Sequence, residues 1–497
     1  MLQMIKWATN RQVIIIVLLC LLSRLPQLLN PHLRIDGDEC IEGLMAKHFS
    51  EGNGIPVFFY GQTYGFALIE VMLISLFYVF FGISDTAIKI AMLTLWTVGI
   101  VFFYKTLKQL NPEDRWTAFL ITLVFIFSPS WFMWSLKARG GYLTAFALFP
   151  IITYLLFHKK HGQQLLAALL SGILTWLLFE SQPLWLAGLI PVFVYKFYKS
   201  KIAYTVLFFS GSIVTAGIFM LLKSGITTFW APQVLTMSTL SFTSIGAIPL
   251  QVFHHLTGSY YYFDIIKFGL ATQLWAIAFT AIIFGTLVLG FIRLILRKAE
   301  NPLFYVFCLS VLSTMCYVAL ISTETPRYLL PITGCALLMV YTAMSSYKKK
   351  SATNILAATF IILGGIVLSG MRYSTYEVSK KSELLDLIEA LKSKNIHYVY
   401  CNGGLMQWEI MFYSKEQITA RSLSNNDRYP KYIQLVDDAL QRDSTKIAMV
   451  GDIGNTLVVS DAQLIDKRFF ICFNPGRATL IEHGFDLGKI DGTKKPE

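Results

Sequence analysis

The chain has 497 residues, 55% of them hydrophobic and 14% charged, with a formal net charge of +12. A soluble globular protein carries roughly 25% charged residues, so an ordinary soluble enzyme is excluded. The basic residues form short clusters between apolar stretches and no single patch, which argues against nucleic acid and for membrane orientation signals and lipid headgroup contacts.

Apolar stretches long enough to span a bilayer recur from residue 13 to about residue 369 and then stop. The first, residues 13–29, follows Lys6 and Arg11, and no small-residue cleavage site comes after it. It reads as an uncleaved signal anchor. The stretch 64–82 is long enough to cross but carries Glu70 near its start. If it lies in the interface, five basic clusters fall on the side of the N-terminus: Lys105, Lys108 and Arg115; Lys159 and Lys160; Lys196, Lys199 and Lys201; Arg293, Arg297 and Lys298; and Lys348 to Lys350. The positive-inside rule then makes that side cytoplasmic.

The expected fold is an all-α polytopic membrane module over residues 1–371 with a C-terminal external α/β domain over residues 372–497. About eleven spans are expected, beginning near residues 12, 88, 115, 141, 163, 183, 202, 270, 302, 328 and 353. The first external loop covers about 30–88 and another long one 224–269, which holds His254, His255 and Tyr260 to Tyr262. Inverted repeats of the kind that mark many carriers are not evident.

Residues 36–49 read as a short amphipathic helix with Ile41, Leu44, Met45 and Phe49 available to lipid. Asp38 and Glu42 are four apart, Glu39 and Glu42 three apart, so a helix sets their carboxylates on neighbouring faces, with Asp36 just ahead. Carboxylates clustered beside an apolar surface raise one another's pKa, which suits a general base. Acids at this place also occur simply as helix N-terminal charges.

Lys89, Lys137, Arg139 and Arg327 break the positive-inside pattern. A phosphate at the membrane surface would account for them, and so would snorkelling to headgroups. Glu70 and Glu180 are further acidic candidates, and Glu324 is expected to pair with Arg327.

These segments resemble the GT-C superfamily of polyprenyl-phosphate-sugar glycosyltransferases, in particular bacterial relatives of glycosyltransferase family 39, which includes protein O-mannosyltransferases and aminoarabinose transferases. The resemblance rests on Asp38-Glu39 with the helix through His48, on VFFYGQTYGFALIE at 57–70 with Gln62 and Tyr64, on WSLKARGGY at 134–142 with Tyr142, and on PRYLLP at 326–331. Segments 397–414 and 418–432 resemble the external domain of some members. The resemblance implies a glycosyltransferase in a bacterial cytoplasmic membrane, with its N-terminus cytoplasmic and its tail periplasmic. It implies a polyprenyl-phosphate-sugar donor, Asp38 as the base with Glu39 beside it, and Lys89, Arg139 and Arg327 around the carrier phosphate. An inverting displacement onto a lipid, polysaccharide or protein acceptor is expected. A flippase of lipid-linked sugars and a non-catalytic envelope subunit are the alternatives.

No cofactor is required by this chemistry. A divalent metal is possible but not demanded, since no His-rich ligand set is present and His48, His158, His161, His254 and His255 read as interfacial or loop residues. In the tail, a helix from residue 382, a strand at 397–401, a helix at 405–413 and strands near 418–422, 446–450 and 469–473 alternate as in a small α/β layer fold. Cys401 and Cys472 lie outside the spans and are candidates for a disulfide.

Overall fold

A computed structural model describes residues 2–30, 35–158, 162–224, 242–258, 270–296, 301–321, 326–345, 352–374, 379–425, 427–453, 462–465 and 468–487. The clusters at Lys159 and Lys160, at Arg297 and Lys298 and at Lys348 to Lys350, together with His161, Tyr260 to Tyr262 and Glu324, lie outside these residues.

The membrane module begins with α1 (Leu2–Leu28), α2 (Gly37–Ser50), α3 (Leu68–Phe81), α4 (Asp85–Leu110), α5 (Arg115–Ile126), α6 (Pro129–Trp134) and α7 (Tyr142–Leu156). It continues with α8 (Gln164–Ser181), α9 (Leu184–Lys199), α10 (Ile202–Lys223), α11 (Phe242–Thr257), α12 (Leu270–Ile295), α13 (Pro302–Ile321), α14 (Leu330–Ser345) and α15 (Ala352–Ser374). A helix begins close to ten of the eleven expected span starts, and the first, near residue 12, lies inside α1. Only seven of the described helices, however, are long and apolar enough to cross a membrane. The expected spans at 115, 141 and 183 fall short, since α5, α7 and α9 have 12, 15 and 16 residues; α15, at the expected span 353, has 23 residues. Of the three short helices, α7 is buried along nearly all of its turns, where full membrane length is not needed.

The ambiguous stretch 64–82 folds as α3, 14 residues long. That is about 21 Å of helix against roughly 30 Å of hydrocarbon, so α3 is too short to cross. Its exposed Met72, Leu76, Val79 and Phe80 point away from the protein, and its buried face carries Glu70, Val71, Ile74 and Tyr78.

The amphipathic helix α2 does not lie open to lipid as its pattern led us to expect. Ile41, Leu44 and Met45 are fully buried, packed between α3, α4 and the tail. Gly43 makes this possible: a Cβ there would collide with Phe412 and come within 2.8 Å of Ile88. The Tyr78 hydroxyl donates to the Gly43 carbonyl at 3.0 Å and fixes α3 against the same turn.

The tail contains α16 (Ser379–Ser393), β1 (Tyr398–Asn402), α17 (Met406–Tyr413), β2 (Thr419–Arg421), α18 (Pro430–Arg442), β3 (Ile447–Asp452), β4 (Gln463–Ile465), β5 (Phe469–Phe473) and α19 (Arg477–Glu482). Its sheet has the order β2-β1-β3-β5-β4, with β2, β1 and β3 parallel and β5 antiparallel to both neighbours. Each tail element read from the sequence is present. Cys401 and Cys472 sit on strands that flank β3 and are not joined to each other, so the candidate disulfide is absent.

Candidate functional site

The site is built from α2 and the segment that joins α6 to α7. Asp36 caps α2: its Oδ1 accepts from the Glu39 amide at 3.1 Å, and Glu39 Oε2 accepts from the Asp36 amide at 3.1 Å. This reciprocal capping box satisfies two otherwise unpaired backbone donors. It also fixes the first turn, so Asp38 projects from a rigid element.

The segment 135–141 runs alongside that turn and matches its carboxylates one by one. Lys137 Nζ is 2.7 Å from Asp36 Oδ2, and Arg139 Nη2 is 2.6 Å from Asp38 Oδ2. The Ala138 amide donates to Glu39 Oε1 at 3.4 Å and the Gly140 amide to Glu42 Oε2 at 2.9 Å. Gly140 and Gly141 have φ of +59° and +86°, and a Cβ on Gly141 would stand 2.8 Å from the Phe66 carbonyl. Only glycine meets both demands at low cost. The segment is anchored by Arg24, fully buried in α1, which donates to Ser135 Oγ at 3.1 Å and to the Ile126 carbonyl at 2.7 Å and stacks over Trp96.

Beneath the first turn lies a layer of buried charge. Lys89 Nζ is 2.5 Å from Glu39 Oε1, with both side chains almost inaccessible. Deeper still, Glu42 and Glu70 are fully buried side by side. Burial first, and the Glu70 carboxylate second, push Glu42 well above the ordinary carboxylate range. Glu70 accepts from the Thr144 amide at 2.9 Å at the start of α7. Burial raises the Asp36 carboxyl, but Lys137 and Arg139 outweigh it and hold Asp36 well below the ordinary range.

Above this layer opens a cleft of about 460 Å³ whose walls include Asp38, Gln62, Tyr64, Arg139, Tyr142 and Arg327. With Glu180, which also lines it, seven of the residues read from the sequence converge there. The other six do not line the cleft: Asp36 and Lys137 pair beside it, Glu39 and Lys89 pair below it, and Glu42 and Glu70 lie at greater depth. The nearer wall also carries Glu180, which is 2.6 Å from Lys223 Nζ.

Two cleft cations were not anticipated. Lys223 ends α10, and Arg428 comes from the tail, with Nη2 3.9 Å from Asp38 Oδ1 and its guanidinium over the Phe59 ring. Lys223 and Arg428 add positive charge to a wall that already holds Arg139 and Arg327. Among the described residues, Arg327 Nε is buried with no hydrogen-bond partner. The cleft thus presents four cations and two carboxylates, one of which, Glu180, is committed to Lys223. It suits an anionic ligand next to a carboxylate.

No family model matches the chain, and no curated protein matches it. Solved structures do. The crystal structure of ArnT from Cupriavidus metallidurans bound to undecaprenyl phosphate aligns with a TM-score of 0.59 at 10% identity, covering 95% of this chain and 98% of that one. The same protein in the apo state aligns with a TM-score of 0.59 at 11% identity, covering 95% and 99%. The likeness is one of fold over nearly the whole chain, membrane module and tail together, and that fold is the GT-C fold.

Proposed function

We propose that this multi-pass membrane protein is a glycosyltransferase that moves a sugar from a polyprenyl-phosphate carrier to an acceptor on the external face of a bacterial cytoplasmic membrane. The observation that carries the reading is one cleft in which Asp38 faces the guanidinium groups of Arg139 and Arg327. The bound undecaprenyl phosphate of the structurally similar ArnT supports a carrier of that chemical class. The clusters of lysine and arginine between spans support a cytoplasmic N-terminus and an external tail.

In the reaction we infer, Asp38 takes the proton from an acceptor hydroxyl or amine. The acceptor oxygen or nitrogen bonds to the anomeric carbon from the face opposite the phosphate. The bond between that carbon and the phosphate oxygen breaks, its electron pair goes to the oxygen, and the configuration inverts. The leaving phosphate gains a negative charge, and preorganised cations stabilise charge that develops in this way. Arg139 has a second part: it pairs with Asp38 at 2.6 Å, and a phosphate that draws the guanidinium away opens the Asp38 carboxylate to the acceptor.

Glu39 and Lys89 act here as positioning residues that fix the first turn of α2. The displacement draws on side chains alone, so no cofactor is part of the reading. The acceptor is a glycan, lipid or protein group with a free hydroxyl or amine.

The test is Asp38→Asn in purified protein given a radiolabelled polyprenyl-phosphate sugar. Loss of label transfer by about 10²-fold or more is expected for a positioned base, with carrier binding retained. Turnover near the parent value would remove Asp38 from the chemistry, and movement of intact donor across vesicles would indicate a flippase.

A further inference from the structure

The tail reaches the cleft through one short segment, and that segment is held unusually firmly. The Asp427 carboxylate, almost fully buried, accepts from Gln407 Nε2 at 2.6 Å and from the Arg428 amide at 2.5 Å. Tyr429 stacks on Tyr60 with ring centroids 4.9 Å apart. Gly61, at φ +73°, admits the backbone of Arg428, whose Cα would lie 2.8 Å from any Cβ at that position. Residues 59–61 of the first loop therefore grip Arg428 on both sides, and its guanidinium enters the cleft between Phe59 and Asp38.

A clasp next to this segment keeps the tail down. Glu416 Oε1 accepts from Tyr432 at 2.5 Å and meets His48 Nε2 at 3.0 Å, Lys47 Nζ lies 2.5 Å from Oε2, and His48 Nδ1 is 2.7 Å from the Tyr60 hydroxyl. Lys415 and Glu416 both hold positive φ, 56° and 61°. Two consecutive non-glycine residues in that region carry strain, and the strain is maintained here by contacts that cross from the tail to α2.

We propose that Arg428 binds the carrier phosphate, so that the phosphate site of this chain comprises Arg139, Arg327 and Arg428 and the C-terminal domain forms one wall of the donor site. This rests on the carrier reading given above. A guanidinium facing a carboxylate at 3.9 Å is too far for a direct hydrogen bond, so it can turn to a phosphate oxygen without breaking one to Asp38. Three guanidinium groups around one phosphate offer paired N–H donors from three directions, which lysine cannot supply.

The experiment measures binding of undecaprenyl phosphate and of the uncharged alcohol undecaprenol to the full chain in nanodiscs, with melting temperature as a folding control. Arg428→Gln is expected to weaken undecaprenyl phosphate by roughly ten- to hundredfold, as for loss of hydrogen bonds to a charged group, and to leave undecaprenol unchanged. Arg428→Lys is expected to recover only part of the loss, and it carries the test if the glutamine variant does not fold. Unchanged phosphate affinity in both variants, or equal weakening of both lipids, overturns the proposal and leaves the carrier reading standing. Parent protein that binds the two lipids equally overturns the carrier reading itself, and this inference with it.

Discussion

Arg139 Nη2 lies 2.6 Å from Asp38 Oδ2 while Nη1 of the same group stands 3.7 Å from Asp36 Oδ2. One guanidinium thus ties the candidate base to the cap of its own helix. Arg139→Gln is expected to lower transfer by about 10²- to 10³-fold, the cost of losing one preorganised donor at a developing charge. Arg139→Lys should leave much of that deficit, because a point charge cannot bridge two carboxylates as a planar fork does. Single-turnover transfer from labelled donor is the measurement.

Lys89 is committed to Glu39 at 2.5 Å beneath the cleft, so its removal should act on stability before binding. Lys89→Met leaves a buried carboxylate without its ion-pair partner and is expected to cost about 3–5 kcal/mol. Replacing both partners by apolar residues should recover a large part of this. Thermal unfolding of the two variants checks the order. A tenfold loss of undecaprenyl phosphate affinity in a well-folded Lys89 variant would instead place the ammonium at the phosphate.

Burial and Glu70 raise the folded value of Glu42 well above the ordinary 4.5. A raised carboxyl contributes stability that is fully present below the unfolded value and is lost as pH climbs through the folded one. The melting temperature of the parent is therefore expected to fall as pH rises from about 4.5. Glu42→Gln, which mimics the protonated carboxyl and can still accept from Gly140, should flatten that slope. Melting curves across pH compare the two.

Glu416 behaves in the opposite sense. Burial raises it, but His48, Lys47 and Tyr432 outweigh burial and hold it at about 2. Its contribution is present above the ordinary value of 4.5 and fades as pH drops toward about 2. Glu416→Gln is expected to loosen the tail at neutral pH by roughly 1.5–3 kcal/mol, and to remove part of the acid sensitivity. Hydrogen exchange at the amides of α2 and α17 reads this directly.

The helices and the tail sheet were legible because apolar periodicity and run length carry them; α16, β1 and α17 appear where the pattern places them. Asp38, Arg139 and Arg327 were legible as charges out of place beside apolar spans. The fate of the apolar face of α2 was not. Periodicity shows that Ile41, Leu44 and Met45 share a face, and it is silent on whether lipid or protein covers it; here α2 packs on α3, α4 and α17, the last far along the chain. The same gap hid Arg428. Nothing local to residues 427–429 distinguishes that arginine from any exposed one, and only the close approach of Gly61 reveals it. Lys89 shows the converse limit, since a cation at a span start fits a phosphate or a buried carboxylate equally well, and Glu39 takes it.

The meeting of Gly61 with Arg428 also sets an order of events in biosynthesis. The contacts between α2 and segment 135–141 need only the first third of the 497-residue chain, and they are able to form while later helices are still being made. The wall that carries Arg428 waits for nearly the whole chain to leave the ribosome. A nascent protein thus owns its candidate base and first guanidinium long before it owns a complete cleft. A truncated product that lacks the tail would sit in the membrane with an unfinished site.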